Sequence, residues 1–196
     1  PNPLRIDAVH QRLLASSLGA ALVCTYSFVS VTEVSEYVPT LEQYGQRLIS
    51  EGEQEGSPVF EAKMKAYADR EPMMRSQRLT PEFPDWPATC FYPMNKQRGD
   101  QENWYLLEFE KRKQYMAGHA ITGRKFQQHV RQLVTGSIAL DNWEWGVTLF
   151  ADDPFYFKKL LYEMRYDEAS ARFAEFGDFY IGIHLEPGEL LTRLRL

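Results

Sequence analysis

One histidine stands out as a residue that could do chemistry. His119 lies in the stretch Gln114–Phe126, which is predicted to be helical, and the residues three and four positions away that share its face are mostly apolar. Gly118 and Gly123 lie nearby, and each costs a helix about 1 kcal/mol relative to alanine. Glycine is understandable where another group must approach the backbone closely. The pattern predicts a flat ligand against this face, with the imidazole reaching up to it.

The same residues are also compatible with two purely structural roles. The histidine could be a core residue satisfied by a carbonyl, since buried polar groups are usually paired within the protein. The glycines could simply permit tight packing of two helices. A lone histidine on an apolar face favours these structural roles, so the rest of the chain must decide.

Composition sets the class of protein. The chain has 196 residues, a net charge of -5 and 14% aromatic residues, which fits one sizeable domain or one domain with part of another. Mild acidity does not support non-specific nucleic-acid binding. The sequence contains no apolar run of the roughly 20 residues that a membrane span requires, and no signal peptide is recognisable. We therefore predict a cytoplasmic protein. The opening Pro-Asn-Pro-Leu is typical of a sequence that begins within a longer chain.

The cysteines and histidines do not form a metal motif. Cys24 and Cys90 each lie in apolar sequence, which predicts buried thiols in a reducing compartment rather than a disulfide framework. A zinc site needs Cys and His residues that lie close together in the sequence. The four histidines are not spaced in this way, and they are His10, His119, His129 and His184.

The first part of the chain predicts an incomplete unit followed by a linker. Residues 4–22 carry one apolar stripe with helical spacing, and residues 22–34 are rich in strand-forming side chains. Residues 1–35 are therefore interpreted as the last helix and strand of a truncated unit. Residues 36–87 are interpreted as a linker with two exposed helices, which ends in an extended, proline-rich stretch at 78–87.

The second part, residues 88–196, predicts a complete unit. Its predicted elements are a strand at 88–94, a helix at 108–129, strands at 130–138 and 144–150, a helix from Pro154 to a C-cap at Gly177, and a strand at 179–185. This order is that of a ferredoxin-like unit. We predict an α+β protein of tandem ferredoxin-like units, of the dimeric α+β barrel kind.

Several motifs have an order along the chain that helix, strand and capping patterns do not explain. They occur in a fixed order and are CFYPMNK at 90–96, NWY at 103–105, GHAITGRK at 118–125, TGS at 135–137, EWGVTLF at 144–150, YEMRYDE at 162–168 and SARFAEFG at 170–177. Together they resemble the coproheme decarboxylases of the chlorite dismutase superfamily. The resemblance covers roughly residues 4–35 and 78–185, and nothing is carried over to the longer linker between them.

The resemblance implies a haem-type pocket in the second unit. His119 would be the proximal iron ligand, Tyr92 the tyrosine that becomes a radical, and Lys96 the lysine that pairs with a propionate and moves a proton. Further residues would line the porphyrin: Arg78, Met94 and Ser170 at the propionates, Trp104 against the macrocycle, and Gln132 over the open face of the iron. Glu168 would be the acceptor for the second nitrogen of His119.

The residue types agree with these implied roles. A porphyrin that carries four carboxylates needs fixed cations and hydroxyls, which Arg78, Lys96, Tyr92 and Ser170 supply. A neutral imidazole suits iron, and its other N–H needs an acceptor. Taken singly, Tyr92 could equally be a core tyrosine of a strand, and an isolated lysine such as Lys96 is more often a solvated charge.

The resemblance also separates two subfamilies. Chlorite-decomposing enzymes carry an arginine at the distal position, where this chain has Gln132. Arg131 is adjacent, but strand alternation should turn it to the opposite face. The implied activity is therefore the peroxide-dependent oxidative decarboxylation of iron coproporphyrin III to haem b.

Two alternatives to this activity are chlorite dismutase or haem peroxidase chemistry, and a haem carrier or sensor without turnover. A carrier does not need a redox tyrosine against a propionate. The resemblance further implies a homopentamer and a transient contact with ferrochelatase.

Overall fold

The structure, a computed structural model, describes residues 4–195. Its helices are α1 (Leu4–Leu14), α2 (Ser17–Ala21), α3 (Leu41–Ser50), α4 (Pro58–Leu79), α5 (Phe109–Arg124), α6 (Phe155–Met164), α7 (Glu168–Phe173) and α8 (Pro187–Leu194). Its strands are β1 (Ala88–Lys96), β2 (Val130–Gly136), β3 (Trp145–Ala151), β4 (Ala174–Phe176) and β5 (Tyr180–Ile183). A short 3-10 turn covers Trp104–Leu106.

The sheet is antiparallel, with the spatial order β2-β3-β1 and both β4 and β5 on the free edge of β1. Counting β4 and β5 as one interrupted strand, this is the strand order of a ferredoxin-like unit. The predicted α+β class and antiparallel sheet are confirmed.

One face of the sheet carries the core. Strand alternation places Ala88, Cys90 and Tyr92 of β1 on the same side as Val147 and Leu149 of β3. Helix α6 packs against this side through Phe157, Leu160 and Met164. A second cluster joins α5 and α7 to the 3-10 turn through Trp104, Tyr115, Ala169 and Phe173. The α5–α7 contact is what brings His119 to its partners.

The predicted strand at 22–34 is wrong. The segment contains only one isolated bridge, in which Val31 and Gly136 exchange two backbone hydrogen bonds of 2.9 Å. Elsewhere it crosses the sheet face opposite the helices, where Phe28 contacts Phe91 and Tyr26 stacks on Tyr180. A chain that crosses a face has no neighbouring strand edge to pair with, so no ladder forms. Cys24 is exposed, contrary to prediction, whereas Cys90 is buried as predicted.

The helix boundaries also differ from the predictions. The first helix breaks after Leu14, and Ser16 caps α2 by accepting a hydrogen bond from the backbone N–H of Gly19. The helix predicted from Pro154 to Gly177 divides because Asp167 caps α7, and the chain then enters β4. Gly177 follows a strand and is not a helix C-cap.

The predicted linker contains two helices, α3 and α4. Helix α4 extends to Leu79, so Arg78 lies in a helix and not in the extended stretch. No helix between residues 4 and 195 is long and apolar enough to cross a membrane. The division into a unit remnant, a linker and a complete unit stays a prediction.

Candidate functional site

Three of the sequence-predicted residues lie in a row on β1. Tyr92, Met94 and Lys96 alternate along the strand and share the face that packs against the helices. Successive members of such a row are about 6.6 Å apart along the strand. The row therefore presents a phenol, a thioether and an ammonium group on the side of the sheet that faces the helices.

Tyr92 is enclosed by apolar groups. Only 5% of its surface is exposed, and its ring centroid lies 4.8 Å from that of Phe179 and 5.7 Å from that of Phe176. Burial raises the pKa of the phenol well above its usual value, and Cys90 adds to the effect. The phenol therefore keeps its proton at physiological pH and is available as a hydrogen-bond donor or a hydrogen-atom donor.

Lys96 lies at the end of the row beside α7 and the 3-10 turn. Its ammonium group donates to the carbonyl of Ala169 at 3.3 Å and lies 4.4 Å from the centre of the Trp104 ring. Burial lowers the pKa of Lys96 to about 8, although the carboxylates of Asp167 and Glu144 act in the opposite direction. At neutral pH this group is a cation that releases its proton readily.

His119 is held by the first turn of α7. Its Nδ1 lies 3.1 Å from Oδ2 of Asp167 and 3.3 Å from the hydroxyl of Ser170. Ser170 donates to the same carboxylate oxygen at 3.0 Å. Because Nδ1 faces an acceptor, the proton belongs on Nδ1, and Nε2 on the far side of the ring is free to bind a metal ion.

The acceptor for Nδ1 of His119 is Asp167 and not Glu168, which corrects the prediction from the sequence. Asp167 is the N-cap of α7, where its Oδ1 accepts the backbone N–H of Ser170 at 3.0 Å, and its side chain is 8% exposed. Glu168 is the first residue inside the helix and is exposed. The cap geometry turns the aspartate back over the turn, towards the histidine.

Asp167 is ionised over a wide pH range. Burial acts to raise the pKa of this carboxyl group, but the hydrogen bonds from His119 and Ser170 outweigh burial and hold the pKa below its usual value. A carboxylate on Nδ1 makes the imidazole a better electron donor at Nε2. The cluster is therefore suited to an axial metal ligand.

The two glycines of α5 have different surroundings. A Cβ atom at Gly123 would lie 3.2 Å from Cε of Met164, so this glycine permits close packing of α5 on α6. A Cβ atom at Gly118, next to His119, would meet nothing within 4 Å. The tight-packing role thus applies to Gly123, while Gly118 is exposed and borders solvent. The space expected for a flat ligand beside His119 stays a prediction.

Two of the remaining predicted residues contact the cluster of His119 and Lys96, and two do not. Trp104 and Ser170 are buried beside Lys96 and His119. Gln132 pairs with Leu149 of β3 and shares its helix-facing side, but it is exposed. Arg78, in the last turn of α4, is exposed, and the structure gives it no contact with the cluster.

The expected orientation of Arg131 is confirmed. It pairs with Phe150, so its side chain lies on the opposite face from Gln132. Its guanidinium carbon is 5.8 Å from the centre of the Trp86 ring, and it donates to the carbonyl of Gln127.

Sequence reasoning missed Asp167, Phe176 and Phe179. The first carried a usable signal, because an aspartate that precedes a short helical stretch is typical of an N-cap. The two phenylalanines had no comparable signal, since their positions depend on how β4 and β5 pair with β1.

The donor set fits an iron porphyrin better than a bare metal ion. Across residues 4–195, no three His, Cys, Asp or Glu side chains converge as metal ligands. A porphyrin supplies four of its own nitrogen donors, so one imidazole with a carboxylate partner is sufficient from the protein. The hydroxyl of Tyr92 and the ammonium group of Lys96 on β1 suit a ligand that carries carboxylates.

A ferredoxin-like sheet with a helix-borne, carboxylate-bound histidine defines an α+β protein with a candidate haem site. The sequence matches the family model described as chlorite dismutase over residues 1–185. The chain belongs to this family.

Two curated relatives and two solved structures illustrate the similarity. A coproheme decarboxylase of Staphylococcus carnosus is 39% identical over 191 residues, which cover 97% of this chain and 67% of the relative. A protein of Natronomonas pharaonis, named as a candidate heme-binding protein, is 44% identical over 185 residues. This match covers 94% of this chain, and the chain spans only 28% of that longer protein.

Among solved structures, a heme-binding protein from Thermus thermophilus is 37% identical, with a TM-score of 0.76. The match covers 100% of this chain and 68% of that one. Chlorite dismutase from Candidatus Nitrospira defluvii in complex with imidazole has a TM-score of 0.69 at 16% identity, over 100% of this chain and 69% of that one. The latter similarity establishes the fold alone.

Proposed function

We propose that this protein binds iron coproporphyrin III as its substrate and converts it to haem b by peroxide-dependent oxidative decarboxylation. The observation that carries the proposal is the row on β1, which has a buried tyrosine at one end and a partly buried lysine at the other, directly beside the His119 cluster. Identity of 39% with a coproheme decarboxylase supports the same assignment.

The chemistry of the substrate explains why both side chains are needed. When a propionate becomes a vinyl group it releases CO₂, one proton and two electrons. Hydrogen peroxide takes up two electrons and two protons and gives two molecules of water. Each decarboxylation therefore consumes one proton overall, and a lysine with a pKa of about 8 is well placed to supply it.

Tyr92 is proposed to carry the oxidising step to the propionate. The bound iron supplies the reduction of peroxide, and Tyr92 loses its phenolic hydrogen. The resulting tyrosyl oxygen then takes a hydrogen atom from the propionate methylene that is bonded to the macrocycle, which restores the phenol. The second oxidising equivalent from hydrogen peroxide then takes up one more electron, and loss of CO₂ leaves the vinyl group. Lys96 holds the carboxylate before it leaves and delivers the proton.

The other residues bind and orient. His119, held by Asp167, would coordinate the iron through Nε2. Ser170 and Met94 would lie near the propionates and Trp104 against the macrocycle, while Gln132 would face the open coordination position. Arg78 is proposed as a propionate ligand on the resemblance alone.

The alternative activities are less well supported by the same geometry. Chlorite decomposition requires a cation over the iron, whereas the polar side chain on the helix-facing side of β2 is the neutral Gln132, and Arg131 lies on the other face. A carrier would need His119 but not the pair Tyr92 and Lys96. The resemblance supports a cytoplasmic homopentamer with a transient ferrochelatase contact as parts of the same proposal.

The test is a direct one. Purified protein loaded with iron coproporphyrin III is treated with hydrogen peroxide, and the porphyrin masses are read after each equivalent. We expect loss of one and then two carboxyl groups in the wild type, and slow or absent conversion in His119→Ala. A bound porphyrin of unchanged mass would favour the carrier, and oxygen release from chlorite without decarboxylation would favour chlorite dismutase.

A further inference from the structure

The edge strand beside β1 has one residue more than regular pairing requires. β4 ends with Phe176 opposite Met94, and β5 begins with Tyr180 opposite Phe91. The two β1 residues between these pairs are thus faced by three residues, 177–179. An extra residue on one of two antiparallel strands is a β-bulge, a feature common beside active sites.

Pro93 accounts for the position of the bulge. The carbonyl of Pro93 accepts a hydrogen bond of 2.9 Å from the N–H of Gly177, so the polar groups of Pro93 point towards the edge strand. Proline has no N–H to return the second bond of the pair, and within sheets it is confined to edges and bulges. The residue directly after Tyr92 thus interrupts the ladder at this point.

Gly177 is required by the same crowding. A Cβ atom at this position would lie 2.7 Å from Cγ of Pro93 and 2.9 Å from Cζ2 of Trp143. Contacts below 3 Å force one of the groups to move, and the ring of Pro93 is fully buried and cannot do so. The bulge is therefore built from Pro93, Gly177 and Trp143 together.

The bulge changes the direction of one side chain. In a regular strand, residues three apart point to opposite faces. Because one residue is inserted, Phe176 and Phe179 both face Tyr92, with ring centroids 5.7 Å and 4.8 Å from its ring. Tyr180 returns to the opposite face, where it stacks on Tyr26.

Phe179 is 40% exposed, while Tyr92 beneath it is 5% exposed. We propose that Phe179 is a positioning residue for Tyr92, which the Pro93 bulge places over the phenol to keep water out and to fix the ring. A tyrosyl group that must take a hydrogen atom from one carbon benefits from both effects, because water and ring rotation divert it. This inference rests on the proposed function for its catalytic consequence but not for its geometry.

The geometry is tested first on the protein without porphyrin. Tetranitromethane nitrates accessible tyrosines, and peptide mass spectrometry locates each modified ring. We expect Tyr92 to stay unmodified in the wild type and to become nitrated in Phe179→Ala, with Tyr166, which is 72% exposed, as the positive control in both proteins. Phe179→Leu should restore protection, since it keeps an apolar cover.

The matched control is Tyr180→Ala. Tyr180 is the next residue on the same strand and is equally exposed at 40%, but it lies on the opposite face. Its truncation should leave Tyr92 protected. Equal nitration of Tyr92 in Phe179→Ala and in the wild type would overturn the proposal.

The catalytic consequence is tested separately on porphyrin-loaded protein. After addition of peroxide, rapid-freeze electron paramagnetic resonance should show a tyrosyl signal that decays faster in Phe179→Ala than in Tyr180→Ala. Equal decay would overturn the positioning role. A wild type that forms no tyrosyl signal and still makes haem b would instead refute the proposed role of Tyr92, whereas the nitration result would stand on its own.

Discussion

Nδ1 of His119 lies 3.1 Å from Oδ2 of Asp167, and this contact joins the middle of α5 to the first turn of α7. The same aspartate caps α7 through its other oxygen. The orientation of the imidazole is thus coupled to the start of a helix, and Lys96 lies close enough for the carboxylate to influence its pKa. A single side chain connects the proposed metal ligand to the proposed proton donor.

Asp167→Asn is expected to weaken the metal ligand without unfolding the helix. Asparagine is as good an N-cap as aspartate, but its neutral amide is a poorer acceptor for the Nδ1 proton. The iron–histidine stretching frequency of the ferrous porphyrin complex, read by resonance Raman spectroscopy, should therefore fall. Glu168→Gln is the matched control and should leave the frequency unchanged, and a shift in the control alone would restore Glu168 as the partner.

Lys96 sets an expected pH dependence. Its pKa of about 8 is that of the free protein, so kcat/KM for decarboxylation should fall as pH rises through about 8, where the ammonium group loses its charge. Lys96→Arg should move this loss to higher pH, because guanidinium stays protonated. Lys65→Arg, on the exposed side of α4, is the control. The same alkaline limb in Lys96→Arg would assign the titration to another group.

The titration of Lys96 should make the fold more stable as pH rises, although it makes decarboxylation slower. The pKa of Lys96 is about 8 in the folded chain and 10.5 in its ordinary state. Between these two pH values, the unfolded chain binds the proton and the folded chain does not. The unfolding free energy should therefore rise with pH over this window as far as this residue is concerned. Lys96→Met should flatten that rise, which urea titrations at several pH values would measure.

Tyr92→Phe is expected to separate binding from chemistry. The ring volume is unchanged, so packing is preserved, and one hydrogen bond to a charged carboxylate is worth about 1.5 kcal/mol, roughly tenfold in affinity. Decarboxylation should fall much further, because phenylalanine cannot form a tyrosyl radical. Titration with iron coproporphyrin III followed by mass spectrometry measures both quantities.

Tyr67→Phe is the control for this variant. Tyr67 is also buried, but its hydroxyl donates to the carbonyl of Pro39 within the predicted linker, outside the sheet. It should keep full turnover. Near wild-type conversion by Tyr92→Phe would leave Tyr92 as an ordinary strand residue.

Gln132→Arg is expected to keep decarboxylation and to add slow oxygen release from chlorite. The change places a cation on the helix-facing side of β2, whereas the propionate chemistry takes place at β1. Arg131→Gln alters the opposite face of the same strand and should change neither activity. An oxygen electrode measures oxygen release from chlorite, and mass spectrometry of the porphyrin measures decarboxylation. Strong chlorite turnover by the wild type would contradict the subfamily assignment.

The family resemblance supplied the candidate site residues, and local patterns predicted which of them share a face. Period-two alternation places Tyr92 and Lys96 on one face of β1 and separates Gln132 from Arg131, and these relations follow from the strand itself. Helical spacing likewise identified the face of His119, and the order of elements indicated the ferredoxin-like sheet. The side-chain faces depend on residues within a few positions of one another, and the sheet prediction depends on the order of such local elements along the chain.

The partners of those residues were decided by tertiary structure. Asp167 rather than Glu168 meets His119 because α7 is a separate helix capped by Asp167, not a continuation of the long helix predicted from the sequence. Residues 22–34 form no strand because they cross a sheet face, and Phe179 covers Tyr92 because Pro93 forces a bulge in the strand beside it. The Asp167 cap is itself a local contact, and only its meeting with His119 depends on how α7 packs on α5. In the other two cases, the outcome depends on which backbone groups of distant segments can pair, and a missing N–H or an absent neighbour alters that pairing without leaving a periodic signal in the sequence.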